Sequence, residues 1–552
     1  MRWLVALTAG TLAVSTGVAG AVPVARATGA GLTAALSARA GLAARTAPAV
    51  VPQVSRPLST LAPAPATVTN GADRPQRAGV SSPQAFNGLG DTNSQVPSDS
   101  DIAVGPTAVF EIAEPDFQIF SLSGAALTSP AAVNTLWAGD TGPCASLTTG
   151  DWSQVIYDQL AGQFVYARTV HILGQNVADA YECLAVSQTD DPTGSWYLYT
   201  MPLSAGLDAQ TDYPQLGFDQ EAYYLGTNLW DQPGGSGTFE GDLLVAYNRS
   251  ELLAGQPLQT ATAELPAGST VATTYESLTP ATLEGQTPEP TGAPELFAGG
   301  PTDQLVASGG SSSYLTGFDA TPDWSTGVLS LAGPYQLYVG PYNVDICPSA
   351  PNCGVQPGTT TELEAWSDNL MLPLVYRNFG TYQSWVGTWD VRSSTGNAAP
   401  EWAELRQYGS GQPKLYQEGV YSPTTASRYD QSITEDGNGD IVLAYTLSSS
   451  TIYPSIAGAV HAANMGPGKM SPEAVAWSGS ASQTPSSPGL NPSATPSRWG
   501  DASYLALSPD GCTVWYSNTY YPSTTSEWQT EIVNLAIPDC TPEPDGAQGA
   551  GA

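Results

Sequence analysis

The sequence SRWGDASYLALSPDGCTVWYSNTYY at residues 497–521 contains two short apolar runs separated by a turn. The first run is Tyr504–Leu507, and the second lies at 513–517. Between them, residues 508–511 supply a Pro that fixes φ, an Asp that bonds its own backbone and a Gly that accepts a positive φ. The stretch therefore predicts a β-hairpin.

The same pattern of apolar run, turn and apolar run returns along the chain. An aspartate stands in the turn at Asp158, Asp219, Asp368, Asp436 and Asp510, at intervals of 61, 149, 68 and 74 residues. The interval of 149 is about twice the others, which predicts a degenerate copy around Thr302, and one more copy turns at Gly105-Pro106. Hairpin units that need neighbours to bury their faces indicate a solenoid or a propeller.

The composition, with 57 Gly and 46 Pro and almost no helical patterning, favours an all-β chain. We predict a single β-propeller of about seven four-stranded blades, since a blade takes roughly 40 to 50 residues and the intervals leave room for loops. Six blades are the alternative if the Thr302 copy is only an insertion. A pair of stacked β-sandwiches is the competing architecture.

The ends of the chain read differently from its middle. Residues 1–21 have a basic start, an apolar core and a small-residue cleavage site at Ala19-Gly20-Ala21, which predicts a secretory signal peptide. Residues 22–88 are rich in Ala, Pro and Thr, which indicates a disordered linker or a pro-segment. The propeller is predicted over 89–541, followed by a flexible tail at 542–552. We expect a secreted, extracellular monomer, since no later run is long enough to span a bilayer.

The cysteine count agrees with export. The six cysteines are Cys144, Cys183, Cys347, Cys353, Cys512 and Cys540. Fifteen pairings are possible, and proximity along the chain favours 144 with 183, 347 with 353 and 512 with 540. None of them has the spacing of a zinc site, and with two histidines in the chain a His-based metal site or a Ser-His-Asp triad is disfavoured.

The charge is strongly negative, with 50 acidic residues against 16 Lys and Arg and a formal net charge of -34. After residue 77, nine cations face 49 acidic residues. Nucleic acids and anionic membranes are therefore poor partners, because binding phosphate requires clustered cations. Such a composition is also compatible with adaptation to acid, since Asp and Glu become neutral near pH 4; ordinary low-pI secretion is the alternative.

Equivalent positions just before the hairpins predict the functional site. In a propeller these positions converge on one rim of the central channel, so we expect a ring of carboxylates with interleaved arginines and flanking aromatic side chains. The predicted catalytic residues are Asp151, Asp212, Asp430 and Asp501. The predicted ligand-binding residues are Asp101, Arg428, Arg498, Trp152, Tyr213, Tyr429 and Trp499.

This composition of the ring suits a sugar, which has an apolar face and hydroxyl edges. Carboxylates held together raise one another's pKa, as general acids require. Binding of a carbohydrate or another extracellular polymer is one prediction, and glycoside hydrolysis by paired aspartates is the other. No cofactor is required, although Ca²⁺ could be held by the ring. Such residues can also be structural, with the acids bonding loop amides and the aromatics packing blade against blade.

Five segments carry a resemblance to a known group of proteins. They are SDIAVGPTAVFEIA, DYPQLGFDQEAYYLGTN, LPLVYRNFGTYQSWVGTW, SRYDQSITEDGNGDIVLAYTLSSSTIYPSI and RWGDASYLALSPDGCTVWYSNTYY. Together they resemble a widespread group of exported bacterial β-propeller proteins, which implies a propeller and secretion. The turn at 507–511 is similar to that of lactonase-like and TolB-like propellers. Residues 508–515 are similar to a sialidase Asp-box that lacks the residue between Asp and Gly.

Overall fold

The computed structural model describes residues 49–61, 81–92, 94, 96–146, 152–171, 180–203, 210–231, 237–268, 276–300, 311–346, 352–365, 370–484, 487, 498–537, 540 and 542. Their regular structure is almost entirely β. The α-helix of these ranges is α1 (Arg249–Leu253), and 3-10 turns lie at Leu58–Thr60, Val133–Trp137 and Pro143–Ala145. No helix in this part of the chain is long and apolar enough to cross a membrane. The predicted signal peptide lies outside the described residues.

The strands form four-stranded antiparallel sheets that follow one another along the chain, preceded by β1 (Gln53–Val54) and β2 (Ser81–Gly90). One sheet contains β3 (Asp101–Val104), β4 (Ala108–Ala113), β5 (Asp116–Ser121) and β6 (Ala131–Ala132). The next contains β7 (Trp152–Asp158), β8 (Gln163–His171), β9 (Ala180–Ser187) and β10 (Trp196–Pro202), with β1 added beside β10. After it come β11 (Gln210–Phe218), β12 (Ala222–Trp230), β13 (Phe239–Asn248) and β14 (Thr260–Pro266).

The second half of the chain continues in the same way. Strands β15 (Thr279–Leu283), β16 (Glu295–Gly299), β17 (Ser311–Asp323) and β18 (Val328–Asn343) are followed by a small ribbon of β19 (Asn352–Gly354) and β20 (Leu363–Glu364). Further sheets contain β21 (Met371–Asn378), β22 (Gln383–Arg392), β23 (Ala398–Gln407) and β24 (Lys414–Val420), then β25 (Ser427–Glu435), β26 (Ile441–Ser449), β27 (Ile452–His461) and β28 (Ala474–Trp477). The final sheet contains β29 (Tyr504–Leu507), β30 (Thr513–Tyr520), β31 (Gln529–Ala536) and the N-terminal β2.

The first strands of these sheets form a ring. Strand β3 contacts β7, followed in turn by β11, β15, β21, β25 and β29, and β29 contacts β3 again. Neighbouring first strands run parallel where they pair, as β11 does with β15 and β15 with β21. Because β14 also pairs with β18, strands β11–β18 make a closed, barrel-like circuit of eight. The predicted all-β architecture is confirmed, and a ring of parallel first strands is the arrangement of a β-propeller.

The ring is closed by a buried carboxylate between its first and last sheets. Strand β2 pairs with β31, so an N-terminal strand completes the C-terminal sheet. The Glu111 carboxylate on β4 accepts hydrogen bonds from the Leu89 amide at 2.8 Å and from the Ser517 and Thr530 hydroxyls at 2.6 Å each. The segment 22–88, predicted as a linker or pro-segment, therefore contributes β1 and most of β2 to the fold.

Five of the predicted turns join the strands that the sequence pattern indicated, and two do not. Those at Gly105-Pro106, Asp158, Asp219, Asp436 and Asp510 each join the first two strands of a sheet. Asp368 lies outside the described residues, and the hairpin of its unit turns later, between β21 and β22. Thr302 also lies outside them, and the strands that flank it are the second and third of their sheet. The short strand β15, whose sequence TPATL shows little apolar alternation, is the first.

Two of the predicted disulfides are confirmed. Cys144 is bonded to Cys183, which links a 3-10 turn to β9, and Cys512 is bonded to Cys540 across the last sheet. Cys353 is disulfide-bonded as well, and its predicted partner Cys347 lies outside the described residues. Both confirmed bonds therefore join segments that are local in sequence.

Candidate functional site

A left-handed backbone marks the start of several first strands. The values of φ are 42° at Asp99, 50° at Tyr213, 54° at Ser277, 53° at Asp430 and 56° at Asp501. Tyr213 and Asp430 lie in β-bulges of β11 and β25. Left-handed residues other than Gly are uncommon, Asp is among the few that tolerate this conformation, and such strain concentrates at functional sites.

Two residues after several of these positions, a polar side chain bonds to the neighbouring sheet. The Ser432 hydroxyl, two residues after Asp430, accepts the Leu505 amide at 2.9 Å. Asp101, two residues after Asp99, accepts the amides of Ile102 and Val155. Asp101 was predicted to bind ligand, and the structure places its buried carboxylate between β3 and β7, where burial raises its pKa well above the usual range.

The left-handed positions therefore set a common register for the ring. Asp99, Asp430 and Asp501 are equivalent, and Trp152 and Tyr213 take the same place before Gln154 and Gln215 in their strands. Gln154 bonds across the sheets as Ser432 does, accepting the Leu216 amide at 2.7 Å. These residues lie at or near the starts of first strands of the ring, and Gly500, next to Asp501, contacts both Asp99 and Asp430 there.

Asp430 has a buried carboxyl group without a hydrogen-bond partner among the described residues. The residue is 6% exposed, and neither of its carboxylate oxygens is bonded. Burial and the neighbouring Asp99 carboxylate raise its pKa to about 7. Its backbone amide donates to the buried Asp390 carboxylate, whose own pKa is raised by burial and by Asp430.

Asp99 lies beside Asp430 at the same end of the ring. It is 9% exposed, and its Oδ1 has no hydrogen-bond partner within the described ranges. Burial raises its pKa to about 7, Arg498 opposes the shift, and Asp212 and Glu364 add to it. The Asp99 amide donates to the Gly500 carbonyl at 3.1 Å, which fixes this carboxyl group against the segment before β29.

Arg498 is the cation of this group. Its side chain is 45% exposed and forms ion pairs with Asp501 and with Glu364, whose Oε2 lies 3.1 Å from its Nε. Glu364 reaches this position from the β19–β20 ribbon. We call Asp99, Asp212, Glu364, Asp430, Asp501 and Arg498 the rim cluster.

The half-buried side of the rim cluster is aromatic. The Trp152 and Tyr213 rings pack edge to face with centroids 5.0 Å apart, and both residues are half-buried. Asp212 is half-buried, and burial raises its pKa while the Tyr213 amide, His171 and Arg498 lower it. The His171 Nε2 lies 2.9 Å from the Thr211 hydroxyl, which places the imidazole beside the cluster.

Three other predicted ligand residues are buried and have structural partners of their own. Arg428 is fully buried in an ion pair with Glu473, with Nε and Oε2 2.6 Å apart. The Tyr429 hydroxyl lies 3.0 Å from that of Ser448, and the Trp499 indole donates to the Thr446 hydroxyl at 3.1 Å. Both rings belong to a buried apolar cluster that includes Leu363 of the ribbon. Asp151 lies outside the described residues.

Two members of the rim cluster were not anticipated from the sequence. Asp99 lies two residues before the predicted Asp101 in Ser98-Asp99-Ser100-Asp101. The sequence pattern that could have identified it is an aspartate two residues before a hydrogen-bonding side chain, as in Asp430 and Ser432. Glu364 has no such signal, because it comes from an inserted ribbon and not from the repeat.

Gly500 fixes the Asp430 carboxyl group through close packing. A Cβ atom at this position would lie 2.2 Å from the Asp430 Oδ2. We expect Gly500→Ala to cost about 1–3 kcal/mol, as overpacking in cores does, and to cost much less in an Asp430→Ala background. Urea denaturation of both single variants and the double variant measures this coupling. Equal costs of Gly500→Ala in the two backgrounds would contradict the contact.

A metal site is not evident in this part of the chain. Among the described residues no group of three or more His, Cys, Asp or Glu side chains is arranged to hold a metal ion. The rim cluster contains carboxylates, which Ca²⁺ favours as ligands. Ca²⁺ binding therefore stays a prediction.

No protein-family model matches this sequence, and no curated protein matches it. Among solved structures, the chain is similar to a protein of unknown function from Dyadobacter fermentans, with 12% identity over 71% of this chain and 100% of that chain and a TM-score of 0.36. It is also similar to a Trypanosoma rangeli sialidase, with 7% identity over 69% and 54% of the two chains and a TM-score of 0.34. A third similar structure is a thermostable family-43 glycoside hydrolase, with 10% identity over 71% of this chain and 93% of that chain and a TM-score of 0.28. Similarity at this level carries no functional argument.

Proposed function

We propose that this protein is a secreted β-propeller that binds a carbohydrate or another extracellular polymer at the rim cluster. The observation that carries the proposal is Asp430, whose two buried carboxylate oxygens have no partner in the described part of the chain. Burying such acceptors is costly unless donors are supplied. The half-buried pair of Trp152 and Tyr213 adds an apolar surface next to Asp212 of the same cluster, as a sugar ring with its hydroxyl edge requires.

The proposed propeller has seven blades and acts as a monomer outside the cell. The seven strands β3, β7, β11, β15, β21, β25 and β29, which contact one another in a closed ring, support this count. Disulfide bonds support an oxidising compartment. The negative charge argues against nucleic acid as a partner. The resemblance to exported bacterial propellers agrees with this assignment and stays a prediction.

Glycoside hydrolysis is the second candidate function, and a specific arrangement favours it. Asp99 and Asp430, each with a pKa raised to about 7, could be protonated acids near neutral pH. Asp501 forms an ion pair with Arg498. A proton-donating carboxyl group beside an ionised carboxylate is the pair that glycosidases use. Hydrolysis would then proceed with Asp430 or Asp99 as the acid and Asp501 as the nucleophile or base.

Asp430→Asn tests the proposal. Asn tolerates a left-handed backbone as Asp does, so the fold should persist while the acceptor pair is lost. On a glycan array we expect the wild-type protein to bind at least one class of glycan, and Asp430→Asn to bind it at least about tenfold more weakly, a difference of about 1.4 kcal/mol. Reducing-end release from the bound glycan separates hydrolysis from binding.

The matched control is Glu182→Gln. Glu182 is equally buried, on the third strand of its sheet, and has its own partner in the Thr169 hydroxyl at 2.7 Å. This variant should bind like the wild type. Binding by Asp430→Asn at wild-type affinity, or no binding of any glycan by the wild-type protein, would refute the proposed function.

A further inference from the structure

The rim cluster contains many more acidic than basic groups, and this imbalance limits the charge that its ligand can carry. The cluster contains five carboxyl groups, those of Asp99, Asp212, Glu364, Asp430 and Asp501, and one arginine. That arginine is already engaged, because Arg498 pairs with both Asp501 and Glu364. The other arginine predicted for this rim, Arg428, is buried in its own ion pair. An anionic sugar would therefore meet several carboxylates and compete for a cation that is in use.

The unsatisfied polar atoms of the cluster are acceptors. Both oxygens of Asp430 and one of Asp99 are without partners in the described ranges, and both residues are at least nine-tenths buried. Gly500 contacts both residues, because its carbonyl accepts the Asp99 amide at 3.1 Å and its Cα packs against the Asp430 carboxylate, so the two residues lie close together. A ligand that completes them must bring hydrogen-bond donors, and a positive charge would also offset their mutual repulsion.

We propose that the rim cluster binds a glycan carrying a free, protonated amino group, with the ammonium between Asp99 and Asp430 and a sugar ring against Trp152 and Tyr213. An ammonium group has three donors and no acceptor, so it matches a site made of acceptors. The half-buried aromatic pair would contact the apolar face of the ring. This inference rests on the proposed function, because it names the class of glycan that the same site would take.

Such a ligand would change the protonation of the cluster. Asp99 and Asp430 have pKa values raised to about 7, so near pH 6 both bind protons to a large extent. A bound ammonium favours their charged forms and lowers these pKa values, so protons should leave the protein as the ligand binds. The number of protons released can be measured by calorimetry in two buffers that differ in ionisation enthalpy.

The experiment uses the full-length protein and oligosaccharides that differ in one group. The probes are β-1,4-linked oligomers of glucosamine, N-acetylglucosamine oligomers of the same length, and oligomers of galacturonic acid as the anionic arm. By calorimetry at about pH 6, we expect the amino oligomer to bind at least about tenfold more tightly than its acetylated counterpart, with release of protons. The galacturonic acid oligomers should not bind.

Variants connect the preference to the cluster. Asp430→Asn should remove the preference for the free amine and the proton release, and Glu182→Gln should keep both. If the acetylated or the anionic oligomer binds as tightly as the amino oligomer, the inference is overturned while glycan binding stands. If glycans bind and Asp430→Asn leaves the amine preference unchanged, the inference is also overturned. If no oligomer and no glycan on the array binds, the proposed function itself fails.

Discussion

Lowering the pH from 8 to 5 should raise the melting temperature of this protein by more than about 5 °C. The reason is the large number of buried carboxyl groups that the fold keeps neutral. Burial raises the pKa to about 6 for Asp219 and Asp436, to about 7 for Asp99, Glu111 and Asp430, and to about 8 for Glu182, Glu284, Glu289, Glu401 and Glu435.

The sign follows from proton binding. In the unfolded chain these groups titrate near pH 4, and in the folded protein they titrate between about 6 and 8. Between those limits the folded state binds more protons, so the free energy of unfolding falls as the pH rises through the folded pKa values and is greatest below about pH 4. Each such group contributes about 1.4 kcal/mol per pH unit within its window. Relief of the net charge of -34 acts in the same direction.

Thermal melts from pH 8 to pH 4 measure this dependence, and Glu182→Gln isolates one group. Gln is neutral at every pH, so this variant should be more stable than the wild type at pH 8 and not at pH 5. A melting temperature that falls steadily between pH 8 and 5 would contradict the prediction and would indicate carboxylates stabilised in their charged form. The expectation of acid adaptation from the composition would then lose its physical basis.

The second large effect is expected at the closure of the ring. Glu111→Ala removes the acceptor of three hydrogen bonds from three other strands, those of the Leu89 amide on β2 and of the Ser517 and Thr530 hydroxyls on β30 and β31. Each buried donor left without a partner costs about 1–3 kcal/mol, so we expect a loss of about 3–5 kcal/mol and a melting temperature lower by roughly 10 °C. Urea denaturation at about pH 6 measures it, and limited proteolysis should cut first near β2.

Glu182→Ala is the control for this prediction. Glu182 is a glutamate as buried as Glu111, and its replacement removes the acceptor of a single hydrogen bond, the one that the Thr169 hydroxyl donates. Its loss of stability should be smaller by about 2 kcal/mol. Equal losses in the two variants would mean that Glu111 contributes no more than its packing volume, and that the ring is closed by the β2–β31 pairing alone.

Much of the fold was predictable because it is local. The hairpin at 497–521 and its copies need only turn residues between apolar runs, and two disulfides join cysteines that are close in sequence. Where a unit departs from this pattern, the prediction fails. The strand β15 is short and lacks apolar alternation, and β21 is interrupted by a bulge, so the turns near Thr302 and Asp368 were assigned to the wrong pairs of strands.

The candidate site depends on register, which the repeat defines only to within a residue or two. Asp99 and Asp101 both fit the pattern, but a left-handed backbone at Asp99 turns its carboxyl group toward Asp430, while Asp101 bonds between strands. Side chains alternate along a strand, so a small shift in register changes what each one faces.

The sequence by itself determined the class of fold, the local hairpins, two cysteine pairings and the negative charge, because each follows from neighbouring residues or from composition. Only the tertiary structure decided which polar residues meet. Arg428 lies within β25 and is buried against Glu473, whereas Arg498 precedes β29 and reaches Asp501 and Glu364. The two arginines occupy matching places in sequence, and their surroundings differ because Glu473 and Glu364, 45 and 134 residues away in the chain, reach them only in the folded structure.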